Sequence, residues 1–103
     1  MAITKQFSKT KSVCKVTFSI AAEAIENTKN VTLLGEFNNW NPETATVLKK
    51  QKDGSFKAAV ELEAGKEYQF RYLLDGSVWT NDSAADKYIS NGISLDENSV
   101  VVL

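Results

Sequence analysis

The chain has 103 residues, of which 43% are hydrophobic, 10% aromatic and 24% charged, a composition that predicts one globular domain. Its net charge of -1 argues against a protein that binds nucleic acid or coats a membrane, because both need a basic excess. There is no histidine and only one cysteine, Cys14, which excludes histidine-dependent catalysis, an intrachain disulfide and a cysteine-rich zinc site.

The N-terminal segment carries few structural signals. Met1–Ser8 lack the continuous apolar stretch of a signal peptide and no later stretch can span a bilayer, so we expect a cytoplasmic protein. Residues 1–10 are expected to be flexible because nothing there forms a core face. Residues 11–103 then form a single module.

Alternation of apolar and polar residues is the strongest periodic signal and predicts β-strands. Turn residues such as Asp53-Gly54 and Asp75-Gly76 separate the runs. Residues 21–27 have helical propensity but are as easily a loop. The predicted strands lie within residues 11–20, 31–35, 56–62, 68–74 and 98–103. Short strands between turns predict an all-β, antiparallel sandwich.

Two tryptophans lie outside these alternating runs. Trp40 follows a stretch rich in asparagine, and Trp79 comes just after the Asp75-Gly76 turn. Each indole either caps an end of the sandwich or is held open for binding. Arg71 favours binding, because alternation places it on the outer face of its strand, near the turn that leads to Trp79.

An outer arginine near two loop tryptophans and several asparagines suits a sugar. The C–H face of a pyranose packs on an indole, while amide, guanidinium and backbone groups bond its hydroxyls. Burying one sugar face contributes ~1–2 kcal/mol. We therefore expect two indoles that stack on consecutive sugars of one chain.

The motifs also occur in a recognisable order. They are Gly35-Glu-Phe-Asn-Asn-Trp40, Tyr68-x-Phe70-Arg71-Tyr72-x-x-Asp75-Gly76-x-x-Trp79 and Asn98-Ser-Val-Val. From about Val13 to the C-terminus the chain resembles the glycogen-binding carbohydrate-binding modules, also called isoamylase N-terminal or early-set domains. The β subunit of AMP-activated protein kinase contains such a module. The segment 81–88 resembles small, stand-alone bacterial members.

The resemblance implies an immunoglobulin-like β-sandwich that binds glycogen, starch and maltooligosaccharides without a cofactor. It implies that Trp40 and Trp79 stack on glucose rings, and that Arg71, Asn98 and Ser99 bond their hydroxyls. The sequence departs from the family pattern in four places. Ser99 replaces an asparagine, the turn before Trp79 is one residue longer, Asp82-Ser83 replaces an Asp-Pro pair after that turn, and the loop 89–97 is longer.

Other residues of these motifs have simpler explanations. Asn38 and Asn39 are expected to shape the loop that carries Trp40 rather than to contact sugar. Asp75 and Gly76 are expected to be turn residues.

Two other classes of function remain as alternatives. A protein-docking or assembly module for a carbohydrate-active enzyme or another partner can use the same tryptophans and arginine as an interface hot spot. A glycoside hydrolase needs two carboxyls ~5–10 Å apart beside a cleft, and nothing marks such a pair among Asp75, Asp82 and Asp86. The spacing of Asp82 and Asp86 also lacks the dense oxygen ligands of a calcium site. We therefore expect neither catalysis nor a metal.

Overall fold

A computed structural model of the chain describes residues 1–25, 28–41, 43–90 and 97–103. Within these ranges no helix has the length and apolar character needed to cross a membrane. Two short 3₁₀ helices cover Ala22–Ile25 and Glu36–Asn38. The strands are β1 (Ala2–Phe7), β2 (Val13–Ile20), β3 (Val31–Gly35), β4 (Thr46–Lys50), β5 (Phe56–Glu63), β6 (Glu67–Leu74), β7 (Val78–Thr80), β8 (Lys87–Ser90) and β9 (Glu97–Val102).

All strand pairs are antiparallel, in the order β1-β2-β5-β4-β3-β6-β9-β8, with β7 added beside β6. Strand β4 joins the two layers: Leu48 and its neighbours pair with β3, whereas Lys49 and Lys50 pair with β5. One layer contains β1, β2 and β5, and the other contains β3, β6, β9, β8 and β7. The structure thus confirms the predicted all-β antiparallel sandwich.

The core lies between the two layers and is built from the alternating apolar residues. Phe18 of β2 contacts Phe70 of β6 edge to face, with ring centroids 5.1 Å apart. Other fully buried members of the core cluster are Cys14, Val16, Ile20, Val31, Leu33, Tyr72 and Val101. The side chains that the sequence pattern placed inward are therefore the ones that hold the layers together.

The N-terminal segment differs from the expectation. Ala2–Phe7 form β1 and pair along their whole length with β2. Ile3 packs against the core, and the Nζ of Lys5 lies 2.7 Å from Oδ2 of Asp86 in the other layer. Residues 2–7 therefore have a strand and a core contact that the sequence pattern did not predict, because the edge of β2 supplies backbone partners that a weakly apolar segment can use.

Strands β4, β7 and β8 were also missing from the sequence prediction. Each is short and largely exposed, so none shows the apolar alternation of a half-buried strand.

The helical turn predicted for residues 21–27 is a 3₁₀ helix over Ala22–Ile25. Of the long loop predicted at 89–97, the first two residues belong to β8 and the last begins β9. Residues 26–27 and 91–96 of these two segments lie outside the described residues.

Candidate functional site

Strand β6 carries the core on one face and the candidate site on the other. Tyr72 and its alternate neighbours point into the core, which leaves Gln69, Arg71 and Leu73 on the outer face of the sandwich. Arg71 lies opposite Leu34 of β3. Leu34 is fully buried although it is not a member of the core cluster. Neighbouring side chains therefore cover the outer face around Arg71.

The guanidinium of Arg71 contains an unsatisfied donor. Its Nε is buried and has no hydrogen-bond partner among the described residues. Buried donors without a partner are rare in native proteins, and leaving one unmade costs ~1–3 kcal/mol. The Nε itself is covered, but the Arg71 side chain as a whole is partly exposed, so the outer face of β6 presents a cationic group that suits a ligand with oxygen acceptors.

Strands β7 and β9 meet beside Arg71. Strand β9 pairs with Glu67–Phe70 and β7 pairs with Tyr72–Leu74, while β3 occupies the opposite edge of β6. The two strands therefore follow one another along the same edge. Trp79 pairs with Leu73, which makes it the diagonal neighbour of Arg71 on the outer face, at ~7–8 Å.

A polar network joins β7 to β9 at this point. The Oδ1 of Asn81 accepts hydrogen bonds from the backbone N of Ser99 at 3.0 Å and from its Oγ at 2.9 Å. The Nδ2 of Asn81 donates to the carbonyl of Glu97 at 2.8 Å. The backbone N of Asp82 donates to the Oγ of Ser99 at 2.9 Å. Asn81, which sequence reasoning did not single out, thus links the strand of Trp79 to the strand of Asn98.

Asn98 and Ser99 have different surroundings. Asn98 is largely buried on the outer face, and its Nδ2 donates to Oε1 of Gln69 at 3.0 Å. Ser99 has no exposed surface, and both hydrogen bonds of its hydroxyl are internal. The predicted direct contact of Ser99 with a sugar therefore conflicts with this arrangement, because strand alternation turns Ser99 inward where Asn98 turns outward.

The turn that carries Trp40 is built by Asn38. Its Oδ1 accepts from the backbone N of Gly35 at 2.9 Å, and its Nδ2 donates to the carbonyl of Leu33 at 3.0 Å. Asn39 and Trp40 both have φ of 57°, a left-handed conformation that is strained for a bulky residue. The interpretation of Asn38 and Asn39 as loop-shaping residues is confirmed. Strain of this kind is typical of residues held for function.

The two tryptophans flank β6 from opposite sides. Trp40 donates its backbone N–H to the carbonyl of Gly35 at the end of β3, and Trp79 lies on β7. Two strand spacings and about three residues of rise separate these backbone positions by roughly 10–15 Å. Trp79 is 44% exposed, Trp40 is partly exposed, and neither belongs to the described core cluster.

The acidic side chains near the site have structural partners. Asp75 accepts from the backbone N–H groups of Lys29 and Asn30, which ties the β6–β7 turn to the start of β3. Asp82 is buried, and its Oδ2 accepts from the hydroxyl of Tyr72 at 2.6 Å. Burial, followed by the charge of Asp82, raises the pKa of Tyr72 well above its ordinary value, so this hydroxyl remains a donor.

Asp86 is also engaged. Partial burial opposes its ionisation, but hydrogen bonds from Lys5 and from the backbone N of Val102 lower the pKa of Asp86 overall. Among the residues that the structure describes, no group of acidic, cysteine or histidine side chains is arranged to hold a metal ion.

Replacing Asn81 with alanine is expected to lower the free energy of unfolding by roughly 2 kcal/mol, because the buried hydroxyl and N–H of Ser99 lose their acceptor. Urea unfolding measures this difference. The matched control is Asn41→Ala, which removes a single exposed bond to the backbone N of Glu43 and should cost about 0.5 kcal/mol. Equal losses in the two variants would contradict a joining role for Asn81.

The sequence was compared with known families and proteins. The family model described as the glycogen recognition site of AMP-activated protein kinase matches residues 23–101. The match includes Trp40, Arg71, Trp79 and Asn98. No curated protein shows a significant match to the chain.

Proposed function

Since the chain belongs to the family of the glycogen recognition site of AMP-activated protein kinase, we propose that it binds α-1,4-glucans, such as glycogen, starch and maltooligosaccharides, without chemical change. Glucose rings stack on Trp40 and Trp79, and Arg71 bonds the hydroxyls of the sugar between them. The observation that carries this proposal is the position of Arg71, a partly exposed cation on the outer face of β6 and the diagonal neighbour of Trp79.

The chemistry of this face suits an uncharged, hydroxyl-rich ligand. An exposed indole such as that of Trp79 offers a flat apolar surface to the C–H face of a sugar. Arg71 supplies donors, and the Asn98–Gln69 amide pair offers both a donor and an acceptor. Ser99 acts indirectly in this proposal, by holding β9 against Asn81.

The surroundings of the acidic residues support binding without catalysis. A glycosidase needs one carboxyl poised as an acid and a second on the other side of the bond. The carboxylates of Asp75, Asp82 and Asp86 instead accept internal hydrogen bonds. A glucan held here is therefore retained rather than cleaved, and the proposed partner is the polysaccharide itself, in the cytoplasm.

Titration with maltoheptaose tests the proposal by NMR. We expect the indole N–H signals of Trp40 and Trp79 and the backbone signal of Arg71 to shift together, because all three contact one chain. A β-1,4-linked glucose oligomer is the control, since its extended shape does not fit platforms spaced for a curved polymer. Equal shifts with both oligomers, or shifts confined to the β1–β2–β5 layer, would contradict the proposal.

A further inference from the structure

A row of uncharged side chains crosses the outer face of the sheet beside Arg71. Trp79 of β7 pairs with Leu73 of β6, Leu73 pairs with Thr32 of β3, and Thr32 pairs with Val47 of β4. Directly paired residues in antiparallel strands project to the same face of the sheet. These four residues, here called the Val47 row, therefore run across the outer face from one strand to the next.

The Val47 row exposes apolar side chains on a sheet face that faces solvent. Val47 is 62% exposed and Trp79 is 44% exposed, while Thr32 and Leu73 are partly exposed. The core does not use this surface, since the buried residues Val31, Leu33 and Tyr72 alternate with the row on the inner face. A strip of exposed and partly exposed side chains that starts at Trp79 offers an extended contact surface.

The dimensions and chemistry of the row fit an extended sugar chain. Three strand spacings give it a length of ~14 Å, longer than any single sugar ring. Its members offer aliphatic and aromatic surface and one hydroxyl, and none is charged. A neutral ligand with apolar faces and hydroxyl edges can therefore follow the row without the burial of an unpaired charge.

We propose that the Val47 row is an accessory subsite, across which a glucan chain stacked on Trp79 continues over Leu73 and Thr32 to Val47. This inference rests on the proposed function and specifies its ligand. The protein selects linear α-glucan segments long enough to reach β4, over short oligosaccharides that occupy only the tryptophans and Arg71.

The test compares Val47→Asp with the unaltered protein, using maltotriose and maltoheptaose in calorimetric titrations. We expect Val47→Asp to weaken the binding of maltoheptaose roughly 3- to 10-fold, as expected for the loss of about one methyl-sized apolar contact and the desolvation of a charge, and to leave maltotriose unchanged. Val78→Asp is the control, because Val78 is 56% exposed and points to the other face of β7. It should change neither affinity.

A second variant keeps the test independent of any folding defect. Val47→Trp adds a platform at the end of the row and should tighten maltoheptaose binding without changing maltotriose binding. Unchanged maltoheptaose affinity in both Val47 variants would overturn the subsite while the proposed function stands. Failure of the unaltered protein to bind either oligosaccharide would overturn both.

Discussion

Trp79→Ala is expected to abolish retention of the protein on glycogen in affinity electrophoresis while leaving its fold intact. Stacking of one sugar face contributes ~1–2 kcal/mol, so its loss weakens binding roughly 5- to 30-fold. The indole is 44% exposed and lies outside the described core cluster, so the free energy of unfolding should change by less than about 1 kcal/mol. Trp40→Ala should abolish retention as well.

The neighbouring valine is the matched control for this variant. Val78 is 56% exposed, lies on the same short strand and points to the opposite face, so Val78→Ala should keep full retention. If the Trp79→Ala protein still binds glycogen, Trp79 does not stack on a glucose ring and the proposal is wrong for this residue. A variant that unfolds instead would show that the indole caps the sandwich, which was the other interpretation of the sequence.

Gly35→Ala is expected to destabilise the whole sandwich. Gly35 has an extended φ of -172°, which any residue can adopt, so the requirement for glycine is steric. A Cβ at this position would lie 2.5 Å from the carbonyl oxygen of Gln69 and 2.9 Å from the Cβ of Phe70. Strands β3 and β6 must then separate, at a cost of roughly 3 kcal/mol, and the melting temperature should fall by roughly 12–24 °C.

Gly76→Ala is the comparison variant, because it tests the conformational freedom of glycine at a position where an added Cβ makes no clash. Gly76 has φ of +72°, and a Cβ there meets nothing within 4 Å, so the left-handed backbone alone should cost ~1–2 kcal/mol. Calorimetric melting of both variants provides the comparison. A loss for Gly35→Ala no larger than that for Gly76→Ala would mean that β3 adjusts without strain.

The parts of the fold that the sequence predicted are those in which burial dictates the residue pattern. Phe18, Phe70 and Tyr72 occupy alternate positions because only one face of each strand meets the core. The same alternation correctly placed Arg71 outside. The turn at Asp75-Gly76 was also predictable, since both residues have positive φ and the hairpin needs residues that tolerate it.

The remaining features depend on partners distant in the sequence. Strand β1 exists because β2 offers it an edge, and no local pattern reveals that edge. The inward position of Ser99 follows from its pairing with Phe70, which a motif comparison does not show. Asn81 gave a faint signal, as an asparagine directly after the Trp79 segment, but its role depends on β9 being adjacent.

The alternation of inward and outward residues along β6 limits how related sequences can differ from this one. Consecutive residues of this strand belong in turn to the core and to the outer face, so a shift by a single residue would bury Arg71 and expose Tyr72. We therefore expect that β6 does not tolerate insertions or deletions. Ligand preference must change through substitutions on the outer face, or through the length of the turn at residues 75–77, which sets where Trp79 lies.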